Sequence, residues 1–211
     1  MKRLIVLTAI LMTTVVAMAQ WEEGDFMVQP KFGMNIATLS DADKSIFDHH
    51  FGLEAEYMVS DQFSMSLGAL LSNQGAKYDP VYDNNGQILL DKYTADLDYV
   101  HVPVLASYYV LPGLAVKAGV QPGFKMKAKA KFENHSYDLD EMYKVYNLIT
   151  GEDAKISNFD LSIPVGVSYE YRHFVLDARY NWGLLKVINV GDAFYNRVFM
   201  LSLGYKFQFG N

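Results

Sequence analysis

The sequence predicts an all-β fold, an eight-stranded antiparallel up-and-down transmembrane β-barrel. Eight stretches alternate strictly between apolar and polar residues, which is the two-residue period of a strand. Their apolar faces contain no charged residue. The connections between them are alternately short and long, as in barrels with tight turns at one end and loops at the other. The predicted strands lie within 26–36, 51–59, 63–71, 100–110, 114–132, 159–171, 174–184 and 199–209.

The stretch 114–132 shows the pattern most clearly. Every second residue from Leu114 to Met126 is apolar, whereas the residues between them are small, polar or cationic, including Lys117 and Lys125. Such a strand has a different environment on each of its two sides.

The N-terminus predicts a secretory signal peptide at residues 1–19. Lys2 and Arg3 precede an apolar run at 4–16, and Ala17-Met18-Ala19 is an A-x-A-like cleavage site. The alternative, a membrane-anchor helix, needs about 20 apolar residues, and this run is shorter. Residues 20–211 are then expected to form one barrel domain.

Composition narrows the function classes. The chain has a formal net charge of −6 and no basic run, so we expect no nucleic-acid partner. It contains no cysteine, which leaves neither disulfides nor thiol chemistry. Beyond the leader no apolar run reaches the ~18 residues of a membrane helix, so only strands remain for crossing a bilayer.

The polar faces carry a balanced set of charges, which predicts ion pairs in an enclosed lumen because an unpaired buried charge is costly. We expect Lys31 to pair with Glu54 or Glu56 on the neighbouring strand. Further expected pairs are Lys117 with Glu170, Lys125 with Asp160, and Arg179 with Asp177. The complete set is Lys31, Lys117, Lys125, Arg179 and Lys206 against Glu54, Glu56, Asp160, Glu170 and Asp177.

The apolar faces are expected to contact lipid. A Lys or Arg on the lipid face near mid-bilayer costs about 2–4 kcal/mol, so a bilayer selects against charge there. Aromatic residues on these faces lie near the short turns or the chain termini, as in an interfacial girdle: Phe26, Tyr57, Phe63, Tyr108, Tyr169, Tyr171, Phe174, Phe207 and Phe209. A second girdle is predicted at Phe51, Phe124, Phe159, Trp182 and Phe199. The alternative is a soluble lipocalin-like barrel with the apolar face inside.

Short turns are predicted at Ser60-Asp61, Pro112-Gly113 and Arg172-His173, and long loops at about 38–50, 73–97, 133–157 and 186–196. Proline cannot donate a ladder hydrogen bond, so prolines within strands are expected at bulges or strand ends. These are Pro30, Pro103, Pro122 and Pro164.

Two segments resemble a known family. The first predicted strand contains a glycine-x-asparagine sequence, Lys31-Phe32-Gly33-Met34-Asn35-Ile36-Ala37, and a later one contains Val102-Pro103-Val104-Leu105. Both are similar to segments of the small outer-membrane β-barrel family of Bacteroidota, often called the porin family or PorT-like. The resemblance implies an eight-stranded barrel in the bacterial outer membrane, surrounded by its lipid, and no single activity.

The first two long loops offer weak metal motifs. His49 and His50 follow Asp48, with Asp41 and Asp43 nearby, but adjacent side chains in an extended segment point opposite ways. Around Asp83, a tight turn closing a hairpin is favoured over a calcium loop. We therefore predict no metal site and no cofactor.

The third long loop is the first candidate for contact with an unidentified protein or small-molecule partner. It contains Tyr137, Tyr143 and Tyr146, and exposed tyrosine is common at interfaces. Asp138 with Glu141 predicts either the cap of a short helix through Leu148 or, alternatively, a hairpin that turns near Gly151. A cationic rim beneath this loop is the expected contact for an anionic ligand, and acidic neighbours are not expected there: Lys127, Lys129 and Lys131.

Together these patterns favour a monomeric barrel of structural or binding type, with its lumen plugged by ion pairs. One alternative is a narrow channel for small solutes. Another is a lipid-modifying enzyme, suggested by His135-Ser136, although no positioned base and acid are evident and we assign no catalytic residue.

Overall fold

The computed structural model describes residues 21–40, 44–83, 85–133, 135–151, 153–188 and 194–209. The predicted signal peptide, Asp41 and Asp43 lie outside these ranges. The strands are β1 Phe26–Leu39, β2 Lys44–Ser60, β3 Phe63–Tyr78, β4 Val81–Tyr82, β5 Ile88–Leu90, β6 Tyr93–His101, β7 Val104–Leu111, β8 Leu114–Lys131, β9 Ser136–Asp138, β10 Phe159–Tyr171, β11 Phe174–Ile188, β12 Phe194–Tyr205 and β13 Phe207–Phe209. The helix α1 spans Leu139–Thr150.

Within these ranges the strands close an antiparallel ring of eight, as predicted. β6 and β7 are two halves of one barrel strand, and so are β12 and β13. The ring runs β1, β2, β3, β6 with β7, β8, β10, β11, and β12 with β13, which pairs again with β1. Closure leaves no open sheet edge in the wall.

Each strand proline lies beside or opposite a gap in a ladder, but only Pro103 lies at a strand end, so the prediction is confirmed for Pro103 and not for the other three. Pro103 separates β6 from β7, and Pro122 lies opposite that break. Pro164 falls in a gap of the β8–β10 ladder. Pro30 lies in the gap between the β1–β12 and β1–β13 ladders, opposite Tyr205, where β12 ends.

In the part of the barrel between the short turns and the middle of the strands, the apolar faces point outward; we call this part the lower barrel. On β1, Phe32 is 64% exposed, whereas its neighbour Lys31 is 3% exposed. The same alternation runs through the other wall strands. This arrangement contradicts the soluble lipocalin-like alternative, whose apolar face would be inside.

The polarity of the wall reverses towards the long-loop end. On β8, Ala128 and Ala130 are buried, whereas Lys127 and Lys129 are exposed. A register shift in the β6–β8 ladder at Met126 changes which residues face inward. The interior here is an apolar core of Leu39, Ala76, Ala95, Leu97, Tyr99, Ala128, Ala130, Leu139, Ile156 and Val187. We call the part of the barrel around this core the head. Its polar outside and apolar inside are those of a protein surrounded by water.

The predicted long loops are partly wrong, because many of their residues belong to the strands of the head. β1 continues to Leu39 and β2 begins at Lys44, so His49 and His50 belong to a strand. The pairing of β2 with β3 shifts between Ser45 and His50. Such bulges break the two-residue period, which is why the alternation ended early in the sequence.

The two loop elements expected from local sequence are present. Asp83 Oδ1 accepts hydrogen bonds from the backbone N–H groups of Asn85 (2.8 Å) and Gln87 (2.7 Å), in the turn between β4 and β5. Asp138 caps α1 by accepting from the N–H groups of Asp140 and Glu141. The helix alternative is therefore confirmed, and the helix ends at Gly151 with a left-handed φ of 75°. Among the described residues no helix is long and apolar enough to cross a bilayer.

Candidate functional site

The middle of the lumen is filled by a cluster of buried charges. Arg179 Nη2 donates to Glu54 Oε1 (3.0 Å) and Oε2 (2.7 Å), and to Asp177 Oδ2 (2.7 Å). Lys31 Nζ donates to Glu54 Oε2 at 3.0 Å. Lys117 Nζ lies 3.7 Å from Glu54 Oε1 and 3.6 Å from Asp177 Oδ2. We call these residues the central cluster. Glu54 contacts all three cations of this cluster, Lys31, Lys117 and Arg179.

A second charged group closes the short-turn end. Lys206 Nζ lies 2.8 Å from Glu56 Oε2 and 2.5 Å from Glu170 Oε1. It also donates to the Tyr109 hydroxyl at 3.0 Å, and that hydroxyl lies 2.8 Å from both carboxylates. Trp21 Nε1 donates to Glu170 Oε2 at 2.7 Å. This end cluster carries one cation and two carboxylates, which offsets the excess cation of the central cluster.

An apolar plug accompanies the end cluster. Trp21, which is 8% exposed, packs with Met27, Met58, Tyr109 and Ala115. Trp21 is the second residue after the predicted leader and precedes the first predicted strand, so the strand pattern does not include it. Met27 and Met58 carried the available signal, since both are large apolar residues at polar-face positions.

A neutral hydrogen-bonded layer lies beside the central cluster and explains the glycine-x-asparagine sequence. His50 Nδ1 lies 2.7 Å from Asn35 Oδ1, and His50 Nε2 lies 2.7 Å from Ser202 Oγ. Asn35 Nδ2 donates to Ser72 Oγ at 2.9 Å. A Cβ atom at Gly33 would lie 2.0 Å from the backbone oxygen of Leu201 and 2.6 Å from His50 Cε1, so glycine leaves space for both the neighbouring strand and the imidazole.

Two expected ion pairs differ from the structure. Lys125 Nζ donates to Asp140 (2.6 and 2.8 Å) and not to Asp160, because the first turn of α1 lies against this lysine. Asp160 instead accepts from Asn196 Nδ2 at 3.0 Å.

The other difference concerns Lys117 and Glu170. In the β8–β10 ladder Lys117 is paired with Gly166, so Glu170 lies four residues nearer the turn. Glu170 therefore reaches Lys206, and Lys117 points to the central cluster.

The cationic rim is placed differently from expectation. Lys127, Lys129 and Lys131 are exposed on the outer wall of the head. Acidic neighbours face them on β6, where Asp98 is paired with Lys127 and Asp96 with Lys129. Lys131 forms an ion pair with Asp96, which raises the pKa of that lysine. These neighbours were missed because β6 begins at Tyr93, well before the predicted strand.

The tyrosines of the third loop divide into two groups. Tyr137 and Tyr146 are exposed. Tyr143 is half-buried against the core of the head, and burial raises the pKa of its hydroxyl. Tyr143 is therefore mainly a packing residue.

Helix α1 exposes one apolar face. Its first turn is anchored by Leu139, buried in the core of the head, and by the Asp140–Lys125 pair. The exposed side chains follow helical spacing: Met142, Val145, Tyr146, Leu148 and Ile149. Leu148 and Ile149 are 86% and 79% exposed. We call these five residues the helix face.

The weak chemical motifs do not assemble into sites. His49 points outward and His50 into the lumen. The described residues contain no group of three or more His, Asp or Glu side chains able to hold a metal. His135 and Ser136 are both exposed, and the His135 ring stacks on Tyr137 with centroids 6.1 Å apart.

Solved barrels share this fold. Neisserial surface protein A has a TM-score of 0.53 and 15% identity, over 88% of this chain and 100% of that protein. The outer membrane protein OprG from Pseudomonas aeruginosa has a TM-score of 0.50 and 18% identity, over 90% of this chain and 99% of OprG. No curated protein matches the chain in sequence. The model of the family described as "Outer membrane protein beta-barrel domain" matches residues 18–189, so the chain belongs to this family of outer-membrane β-barrels.

Proposed function

We propose that this protein is a monomeric, non-conducting outer-membrane barrel of structural or binding type, which makes its contacts at the extracellular end. One observation carries the proposal. The side chains of the central cluster are at most 2% exposed, and they bind one another across the lumen. A lumen crossed by paired charges at this depth supports a barrel that is closed to solutes.

The orientation follows from the loops. Outer-membrane barrels have short periplasmic turns and longer extracellular loops. The turns at Ser60-Asp61, Pro112-Gly113 and Arg172-His173 then face the periplasm, and Trp21 closes that end. The head and α1 extend beyond the outer leaflet, consistent with the reversed polarity of the wall.

The helix face is the proposed contact surface for a protein or small-molecule partner. Exposed apolar side chains that follow one helical face are typical of recognition sites. Asn147 holds the helix against the returning chain, since its amide donates to Ala154 O and accepts from Ala154 N, both at 2.8 Å. The helix is therefore fixed at both ends while its apolar face stays open.

A narrow channel for small solutes is the second candidate. It is favoured by buried polar atoms in the lumen that have no partner among the described residues, including both amide atoms of Gln121 and the hydroxyls of Ser107 and Ser168. Such atoms usually bind internal water.

Planar-bilayer recording distinguishes the two candidates. We expect purified wild-type protein to give no reproducible single-channel steps. The Glu54→Ser/Arg179→Ser variant removes the ion pair that crosses the lumen. It is recorded beside the wild-type protein as an example of a barrel whose lumen is less tightly filled. Reproducible steps from wild-type protein contradict the closed barrel and support the channel.

Two finer assignments complete the proposal. We place the chain in the PorT-like group of Bacteroidota, supported by the roles of Gly33 and Asn35 around His50 and by the strand break at Pro103. We propose no enzymatic activity, and lipid mass spectrometry after overexpression tests this. Altered outer-membrane lipid that depends on Ser136 would favour the lipid-modifying alternative.

A further inference from the structure

A row of lysines crosses the outer wall of the head. Lys44 on β2 is paired in register with Lys77 on β3, Lys77 with Thr94 on β6, and Thr94 with Lys131 on β8. These four positions are laterally adjacent on neighbouring strands. The row spans three interstrand spacings, about 14 Å.

Placing lysines next to one another on neighbouring strands does not stabilise the fold. Residues directly opposite one another in antiparallel strands have Cβ atoms about 5 Å apart, and like charges at such positions are destabilising. Lys44 and Lys77 are such a pair. Carboxylates flank the row at its two ends, where Asp79 binds Lys44 at 2.7 Å and Asp96 binds Lys131. Within the described part of the chain, Lys77 in the middle has no ion pair.

The row borders a groove of about 490 Å³. Four lysines line it, namely Lys44, Lys77, Lys92 and Lys131, against the two carboxylates Asp79 and Glu133. The groove is therefore cationic. Its remaining lining is mainly aromatic: Tyr78 and Tyr93 stack with centroids 4.9 Å apart, and Tyr93 and Phe132 with centroids 5.6 Å apart.

The position of the groove indicates what it meets. Lys131 is seven residues beyond Phe124 of the second predicted girdle, on the side of the long loops. At the usual rise and tilt of a barrel strand, this places Lys131 roughly 15 Å from that girdle along the barrel axis. The lysines point sideways from the wall and not upward from the tip. In the proposed extracellular orientation of the head, on which this placement rests, the lateral neighbour of the barrel at that height is the saccharide layer of the outer-leaflet glycolipid.

We propose that this lysine groove binds phosphate groups on the saccharide of an outer-leaflet glycolipid. The ammonium groups of Lys44 and Lys77 are close enough to share one phosphate, and Lys131 reaches a second. Tyr78, Tyr93 and Phe132 line the same groove and give it an aromatic surface beside the lysines. The site is separate from the lumen, so it does not depend on whether the barrel conducts.

The test is a binding titration of folded full-length protein in detergent. The ligands are a phosphorylated lipooligosaccharide, the same material after enzymatic dephosphorylation, and inorganic phosphate. We expect the phosphorylated form to bind at least about tenfold more tightly than the dephosphorylated form, with an affinity that falls as salt rises. We expect Lys44→Gln/Lys77→Gln/Lys131→Gln to lose that difference.

The control is Lys144→Gln/Lys155→Gln, which removes exposed lysines of the third loop and should bind like wild type. Heat-modified electrophoretic mobility confirms that each variant is folded. Equal binding of the two lipooligosaccharides, or an unchanged triple variant, overturns the proposal. Competition by inorganic phosphate at concentrations equal to the glycolipid also overturns it, because the groove would then recognise free phosphate.

Discussion

Arg179 and Glu54 lie 125 residues apart in the sequence, and two hydrogen bonds from the guanidinium to the carboxylate join them across the lumen. Their strands, β11 and β2, are not neighbours in the wall, since β12 and β1 lie between them. The pair therefore braces the barrel from the inside.

Glu54→Gln should destabilise the barrel strongly. It leaves Lys31, Lys117 and Arg179 with Asp177 as their nearest carboxylate, and breaking a buried ion pair by removing one partner costs about 3–5 kcal/mol. Urea unfolding in lipid vesicles, followed by tryptophan fluorescence, measures the loss. Glu23→Gln, an exposed position, is the control. The Glu54→Leu/Arg179→Met variant should lose less than the sum of its single changes, and strict additivity would argue against a direct pair.

Gly204 makes room for the side chain of Gln29. A Cβ atom at position 204 would lie 2.1 Å from Gln29 Nε2 and 2.9 Å from its Cγ. Gly204→Ala should therefore destabilise the barrel by about 1–3 kcal/mol through overpacking. Gln29→Ala in the same chain should recover most of the loss in urea unfolding. A failure to recover would mean that the backbone, and not Gln29, limits this position.

Because the polarity of the wall reverses along the strands, a lysine substitution should change the stability of the barrel differently at three positions. Ala118→Lys places a charge on the lipid face and should cost about 2–4 kcal/mol if it lies near mid-bilayer. Ala128→Lys places a charge in the core of the head and should also destabilise the protein. Ser136→Lys, on the exposed strand β9, should be neutral. A tolerated lysine at position 128 would contradict the apolar interior of the head.

Removing the N-cap of helix α1 should destabilise the helix and leave the stability of the barrel strands unchanged. Asp138→Ala removes the acceptor for two backbone N–H groups and should cost the helix about 1 kcal/mol. Hydrogen exchange should therefore accelerate in 139–150 while the strands stay protected. Leu148→Ser/Ile149→Ser should leave urea unfolding unchanged, because both side chains are exposed. A large loss of stability in that variant would show that the helix face packs on the barrel.

The sequence was sufficient for the barrel itself. Alternation is a local property, so eight period-two stretches predicted the strands, and the short turns predicted their antiparallel order. The side of the strand on which Lys31, Glu54 and Arg179 lie also follows from this period. Which charges meet does not, because partners across a lumen depend on the register of strands that are far apart in sequence.

The head is not predicted from the sequence, and the reason is physical. A bulge shifts the alternation by one residue, so Ala128 and Lys129 exchange the roles that Ala118 and Lys117 have lower in the same strand. The interrupted pattern therefore predicts a loop where the structure has strands. The acidic partners of the rim lysines were missed with it, since Asp96 and Asp98 belong to the part of β6 that was assigned to that loop.

Spin-label accessibility tests the central claim most directly, that the apolar face of the lower wall meets lipid and the head stands in water. The chain contains no cysteine, so Val165→Cys, Lys129→Cys and Leu148→Cys each give a single labelling site. In lipid vesicles, we predict that the label at position 165 collides mainly with oxygen dissolved in the bilayer. The labels at positions 129 and 148 should collide mainly with a water-soluble nickel complex. A label at position 165 that is more accessible to nickel than to oxygen would contradict the account.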